Sequence, residues 1–244
     1  MSEARLLGII PIRGTDPEFA EGPEVKLGDR PIVAYTIDSA RASRRLDRVV
    51  VSTDDPGIAA LAKRLGAETA LRPLSLSGMG VTITNVLQHV VLQLAEEGYA
   101  PDWVVKLEIT HPFRPPGIID RVIELALEQG VDSAFLAYPE PHSYWLLGDD
   151  GRPQQIGDDM DVPREIRRPV YRDVGGVVSL TRVENLRVGR MYGERVALVP
   201  VDDVFVTVDL HEGHASHYRN RVGFQMAESL VDAYRRVTGG SSAA

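Results

Sequence analysis

The chain has 244 residues, 43% of them hydrophobic, which is enough for one large α/β domain with a sizeable core. A formal net charge of −8 argues against nucleic acid or an anionic membrane as partner, since both need a clustered cationic surface. The lack of cysteine excludes disulfides, thiolate zinc sites and a cysteine nucleophile. Without a charged-then-apolar leader or an apolar run of membrane length, the sequence predicts a cytoplasmic protein.

Leu6 to Pro11, LLGIIP, is a short apolar run that leads into a glycine-containing loop, the pattern of a parallel strand buried on both faces. PIVAYTIDSARAS then opens a helix on Pro31. DRVVVSTDD predicts a second strand, and PGIAALAKRLG a helix that starts after Asp54 and Asp55 and stops at Gly66. AETALRP reads as a short third strand, TNVLQHVVLQLAEEG as a helix and DWVVKLEI as a fourth strand. PPGIIDRVIELALEQG is a helix opened by Pro115 and Pro116, and VDSAFLAY a fifth strand. Strands and helices alternating at these lengths predict a Rossmann-like α/β fold, a mostly parallel doubly wound sheet flanked by helices.

After Tyr138 the rhythm breaks. Residues 139–173 are rich in Pro, Asp, Arg and Gly, with HSYWLL and QQI as short strands around the turn signal GDDGRP, and read as an inserted arm. VGGVVSLTR and RVALVPV return as strands, and residues 214–237 close as a helix. Residues 1–238 therefore read as a single domain, and 239–244 as a disordered tail.

Ligands of doubly wound sheets bind beyond the carboxyl ends of the strands. That directs attention to the loops Arg13 to Lys26, Asp54 to Asp55 and Glu108 to Arg114. Neither G-x-G-x-x-G nor G-x-x-x-x-G-K-[ST] occurs, so the fingerprints of dinucleotide dehydrogenases and P-loop NTPases are missing.

Another set of signatures is present: IIPIRG, LGDRPIVAYTI, RVVVSTDDPGIAALAKRLGAE, LRPLSL, LEITHPFRPPGIID, VDSAFL, SYWLL with DGR, VYRDVGG and VTVDL. In this order and spacing the chain resembles the acylneuraminate cytidylyltransferase family across residues 5–215. The resemblance implies a nucleotidyltransferase fold with an arm that forms a homodimer. It implies transfer of CMP from CTP, or another pyrimidine nucleotide, to a small acidic acceptor, with Mg²⁺ as cofactor and pyrophosphate released. The acceptor would be a nonulosonic or sialic-type sugar acid or a phosphonate. Carried onto this sequence, the resemblance places nucleotide contacts at Ile10, Pro11, Ile12, Arg13, Arg72 and Thr82. It places acceptor contacts at Glu108, Thr110, Arg164 and Tyr171, the metal carboxylate at Asp209, and the catalytic roles at Arg13 and Asp209.

Attack on the α-phosphorus builds charge on the phosphates, so cations are needed there. The first loop departs from the family on that point. Of its R-x-G-S-K and K-N, only Arg13 and Gly14 remain. Asp16 stands at the serine, Pro17 at the lysine, Gly22 and Pro23 at K-N, while Asp16, Glu18, Glu21 and Glu24 add negative charge. Lys26 and Arg30 are nearby, as substitutes or as solvated charges. The family's D-x-D is Thr207 and Asp209 here. Asp209 would bind Mg²⁺ together with waters and phosphates, or cap a helix.

Glu108 replaces a glutamine and reads either as an acceptor contact or as a strand-end carboxylate paired with Arg114; His111 replaces a serine. Arg167, Arg168 and Arg172 are further candidates for an acid group, or a basic run facing Asp158 to Asp161. Tyr144 and Trp145 are expected in a core or dimer seam, and His211, His214 and His217 form a metal site only beside a second cluster. Two readings stay open. One is a cytidylyltransferase with a remodelled phosphate loop; the other is a catalytically degraded homologue acting as a nucleotide-binding or regulatory subunit.

Overall fold

A computed structural model describes residues 4–16, 19, 22–78, 80–140, 142–158, 161–210 and 222–239, without the side chain of Arg164. His211, His214 and His217, the loop residues Pro17, Glu18 and Glu21, and residues 240–244 lie outside the described residues.

In chain order the elements are β1 (Leu6–Ile12), β2 (Lys26–Leu27), β3 (Arg30–Pro31), α1 (Ile32–Arg41), β4 (Arg48–Thr53), α2 (Pro56–Arg64), β5 (Glu68–Leu71) and α3 (Ile83–Glu96). There follow β6 (Trp103–Lys106), α4 (Ile118–Gln129), β7 (Ser133–Glu140), β8 (Tyr144–Leu147), β9 (Pro153–Ile156) and β10 (Val170–Asp173). The chain closes with β11 (Ser179–Arg182), α5 (Val183–Arg187), β12 (Val196–Pro200) and α6 (Val222–Thr238).

β1 is buried because a parallel strand lies on each side: Gly8 pairs with Val49 of β4 and with Val105 of β6. β5 extends the parallel part beyond β4, and β11 joins β6 antiparallel. β7 pairs antiparallel with β11 and β10 and parallel with β12. One face of the sheet is covered by α1, α2, α4 and α6, whose apolar residues share a cluster with Ile10, Val51, Val105 and Leu136. On the other face, Leu87, Val90 and Leu94 of α3 and Leu186 of α5 pack with Ile9, Val50 and Val104. The doubly wound arrangement expected from the alternation of elements is what the chain adopts.

Local chemistry sets the helix starts. The Asp55 carboxylate accepts from the N–H groups of Gly57 and Ile58, with Pro56 as the first residue of α2. Thr82 and Asn85 form a reciprocal capping box on α3. α4 ends on Gly130, whose φ of 63° is the left-handed conformation that glycine adopts without a Cβ clash.

Three differences from the sequence reading matter for the site. First, LGDR folds as the small β2–β3 hairpin with Gly28 at φ 65°, not as plain loop. Second, the arm is narrower than residues 139–173. Pro139 and Glu140 remain in β7 and Val170–Asp173 pairs back onto it, so the β8–β9 hairpin is what stands apart from the main sheet. Third, VGGVVSLTR is not one strand. Leu136 accepts from the N–H of Val174 at 3.0 Å and donates to the carbonyl of Val178 at 3.2 Å, so residues 175–177 leave the ladder as an excursion between β10 and β11. The short helix α5 that follows was not foreseen. Trp145 lies outside any core, 53% exposed on the hairpin with Leu146 and Leu147. No helix among the described residues is long and apolar enough to cross a membrane.

Candidate functional site

Beyond the carboxyl ends of β1 and β6 lies a cavity of about 250 Å³ lined by Pro11, Arg13, Asp16, Arg72, Ser77, Val81, Ile83, Val86, Glu108 and Thr110. A larger hollow of about 830 Å³ lies between α1, the start of α4 and α6, and contains none of the predicted contact residues. The smaller cavity is the candidate site, because its position is the one where such sheets bind ligands and because the predicted residues converge on it.

The first wall is the β1 loop. Arg13 donates from Nε to Asp16 at 2.8 Å, its terminal nitrogen lies 2.7 Å from the same oxygen, and Asp16 also accepts the Arg13 backbone N–H at 3.2 Å. The arginine expected on phosphate therefore already holds an anion. Asp54 accepts the Gly14 N–H at 2.9 Å and pins the start of the loop to β4. The substitute cations do not reach this cavity: Arg30 pairs with Asp38 beside the larger hollow, and Lys26 is exposed on β2.

Arg72 donates to the carbonyls of Ile12 (3.0 Å) and Ser52 (3.1 Å) and to the Ser77 hydroxyl (3.1 Å), with Asp54 3.9 Å away. It ties the ends of β1 and β4 to the turn that follows β5. Burial pushes its pKa below the ordinary arginine value, against the pull of Asp54 and Asp16. Ile10 and Ile12 point their side chains into the core, so only their backbone is available to a ligand, and the Ile12 carbonyl already serves Arg72. Pro11 does line the cavity. Thr82 is exposed and its hydroxyl is engaged with Asn85 in the helix cap, while its neighbours Val81 and Ile83 line the wall.

The second wall follows β6. Glu108 pairs with Lys106, not with Arg114 as one reading of the sequence had it. Burial pushes the Glu108 carboxyl up, but Lys106 beside it, helped by His111 and Arg114, brings it below the usual carboxylate range. Arg114 is fully inside and serves the backbone. Its nitrogens donate to the carbonyls of Val177 (2.9 Å), His111 (2.6 Å), Gly176 (3.1 Å) and Glu108, and to the Thr36 hydroxyl (2.8 Å). Burial pushes its pKa down to about 9, and these bonds hold it charged at neutral pH. Phe113, fully buried, stacks against Tyr234 of α6 at 4.7 Å, and the Tyr234 hydroxyl donates to the Arg114 carbonyl. The closing helix thereby clamps the loop that carries Thr110.

Leu210 donates its N–H to the Thr110 carbonyl at 2.9 Å, which brings Asp209 to this loop. His111, whose Nδ1 lies 3.1 Å from the Thr110 hydroxyl, is packed against Gly176; burial pushes its pKa below the ordinary value, against the pull of Asp209 and Glu108. Thr207 turns its hydroxyl back to the Val204 carbonyl at 2.8 Å. Among the described residues there is no cluster of three metal-type side chains. A cation at Asp209 would therefore need ligand oxygens and water to complete its coordination.

None of the described residues of the arm lines the cavity. Tyr171 is on β10 and partly exposed, outside the cavity lining. Arg167 donates to Ser143 and to the Val162 carbonyl, Arg168 pairs with Asp158, and Arg172 with Glu140. The side chain of Arg164 lies outside what is described. Conversely, Lys106 and Gly176 shape the site and were missed in the sequence, while Asp54 lies in one of the loops that the sequence singled out. A lysine near the end of an otherwise apolar strand was the one available signal.

A mostly parallel sheet wound on both faces, with a cavity carrying charged side chains at the ends of β1 and β6, is a doubly wound α/β architecture of the kind that binds ligands at this edge. Residues 7–233 match the family described as Cytidylyltransferase, and the chain belongs to that family. It is 35% identical over 135 residues to a 3-deoxy-manno-octulosonate cytidylyltransferase of Anaeromyxobacter sp. (strain Fw109-5), covering 55% of this chain and 52% of that protein. It is 22% identical over 210 residues to the CMP-N,N'-diacetyllegionaminic acid synthase of Legionella pneumophila, covering 84% of this chain and 90% of that one. The chain spans about half the length of the first of these curated relatives. In fold it is similar to a CMP:2-keto-3-deoxy-manno-octonic acid synthetase solved with CTP, with a TM-score of 0.56 and 15% identity over 97% of this chain and 87% of that one.

Proposed function

We propose that the chain transfers CMP from CTP to a small acidic acceptor and releases pyrophosphate. What carries this reading is the convergence of Arg13, Arg72, Glu108 and Thr110 on one cavity, with the Asp209 segment docked against it, in a chain of the cytidylyltransferase family. Arg13, released from Asp16, would bind phosphate. Arg72, which has five N–H donors and gives three of them to the protein, would contribute to the nucleotide side. Asp209 would hold Mg²⁺, which when bound neutralises charge on the phosphates. The relatives named for 3-deoxy-manno-octulosonate and for legionaminic acid support a sugar acid as acceptor, of the sialic or nonulosonic type. A phosphonate is the alternative acceptor. The exposed Trp145, Leu146 and Leu147 support a homodimer formed through the β8–β9 hairpin.

The test is pyrophosphate release from CTP and Mg²⁺ with 3-deoxy-manno-octulosonate, N-acetylneuraminate and a simple phosphonate. Release with one of them is expected, and no release with any would overturn the assignment. The Arg13–Asp16 pair favours a second reading, a homologue that keeps the base pocket but not the triphosphate contacts. Calorimetry separates the two: the transferase binds CTP with Mg²⁺ more tightly than CMP, whereas the degraded form binds them alike.

A further inference from the structure

A carboxylate at position 108 faces a difficulty if the acceptor is an acid, because like charges in a partly enclosed cavity repel. The neighbour two residues earlier resolves it. β6 lies between β1 and β11 near the middle of the sheet, and strand alternation puts Val104, Lys106 and Glu108 on one face. On that face Val104 packs with Leu87 and Val90 of α3, and Ile83 and Val86 of the same helix line the cavity. Lys106 is 9% exposed, and its ammonium is bonded to the Glu108 carboxylate. Its partner is only partly buried, with 34% of the Glu108 side chain exposed, and an ion pair at such a site contributes little to stability. A lysine in the run WVVKL therefore calls for another reason.

We propose that Lys106 and Glu108 act together as one specificity element of the acceptor site. Glu108 receives a hydrogen bond from a hydroxyl or ammonium of the acceptor, and Lys106 cancels the charge that this carboxylate would turn toward an acidic substrate. The inference rests on the CMP-transfer reading given above.

The chemistry differs from that of a glutamine in the same place. Glutamine offers a donor and an acceptor, so it accommodates either kind of group; an ionised glutamate only accepts. The pair is as neutral as glutamine, yet its polarity toward the ligand is fixed. Lys106 also keeps the glutamate ionised by pulling its carboxyl below the usual range against the effect of burial. The other cations near the cavity have partners of their own: Arg13 holds Asp16, and Arg72 and Arg114 hold backbone carbonyls. Lys106 pairs with a carboxylate of the cavity wall on the β6 side, as Arg13 does with Asp16 on the β1 side.

The experiment compares Lys106→Met, Glu108→Gln and the double variant, using pyrophosphate release with N-acetylneuraminate and 3-deoxy-manno-octulosonate as probes. Lys106→Met should raise the KM for the acidic acceptor on the order of tenfold, with the KM for CTP changed by less than about threefold. The double variant, which leaves no lone charge, should return to within about threefold of Glu108→Gln instead of showing the product of the two effects. Melting temperatures of all three separate a folding defect from a binding one, and the double variant carries the comparison if a single variant is unstable. Acceptor KM unchanged in both single variants, or CTP and acceptor KM rising in parallel, would overturn the inference and leave the transfer reading standing. A wild-type chain that releases no pyrophosphate with these two acceptors or with the simple phosphonate overturns both.

Discussion

Arg114→Met is the perturbation whose consequence the structure states most directly. The guanidinium faces no carboxylate among its hydrogen-bond partners; it bonds the carbonyls of Glu108, His111, Gly176 and Val177 and the hydroxyl of Thr36. Methionine fills a similar volume and supplies no donor. Leaving a buried acceptor unpaired costs about 1–3 kcal/mol; the Gly176 and Glu108 carbonyls keep the N–H groups of Glu108 and His111, so the carbonyls of His111 and Val177 set a ceiling of about 2–6 kcal/mol. Two effects bring the net below that ceiling: removing the buried charge recovers its desolvation penalty, and water can enter to bridge some carbonyls. The expected loss is about 3–5 kcal/mol, comparable to breaking a buried ion pair on one side. Against a typical domain stability of about 5–15 kcal/mol, the variant sits near the edge of folding. Arg114→Lys keeps the charge with three donors in place of five, and should lose about half as much. Urea unfolding followed by circular dichroism measures both, read as the shift in midpoint at constant slope. A loss below about 1 kcal/mol for Arg114→Met would refute the view that this arginine is the tie between the β6 loop and the 175–177 excursion.

Asp16→Ser removes the carboxylate that holds Arg13, and CTP with Mg²⁺ should bind about 3- to 10-fold more tightly by calorimetry; unchanged affinity would show that Arg13 does not meet the phosphates. Gly176→Ala would place a methyl 2.4 Å from the His111 ring, and should cost about 1–3 kcal/mol in urea unfolding because the ring must move. The folded-state pKa of Glu108 lies below its ordinary value of 4.5, so its contribution to stability is complete above that pH and is lost as pH falls through the folded value. With Lys106→Met, burial is left as the dominant influence and the folded value rises. That contribution then reverses sign and weakens as pH increases through the acid range, which acid titration of unfolding free energy in the two proteins would reveal. Trp145→Glu combined with Leu147→Glu should convert a dimer to a monomer in sedimentation velocity, and an unaltered coefficient would remove the hairpin from the interface.

The layered fold was legible because its signals are local. LLGIIP reads as a two-sided strand and Asp55 before Pro56 reads as a helix start; both are found as expected. What was not legible depends on backbone partners. Arg114 looked like a companion for Glu108 because side chains can be paired on paper, whereas carbonyls from four separate residues leave no mark in the one-letter code. The same holds for Gly176, whose carbonyl receives the Glu108 N–H at 2.8 Å only because residues 175–177 depart from a strand that the pattern VGGVVSLTR suggested was continuous. Of the residue identities carried over from the family, Pro11, Arg13, Arg72, Glu108 and Thr110 line one cavity. Thr82 caps a helix beside it, and Tyr171 lies on β10 at the base of the arm.

The excursion between β10 and β11 also has a mechanical meaning. Chain leaving the β8–β9 hairpin re-enters the sheet through β10 and runs directly into Gly175 and Gly176 before reaching β11. Val174 and Val178 both bond Leu136, so the three residues between them are held to β7 at a single point, and the carbonyl that fixes the Glu108 backbone lies within the span that this anchor closes. Hydrogen exchange at the Glu108 amide therefore reports how often the excursion opens.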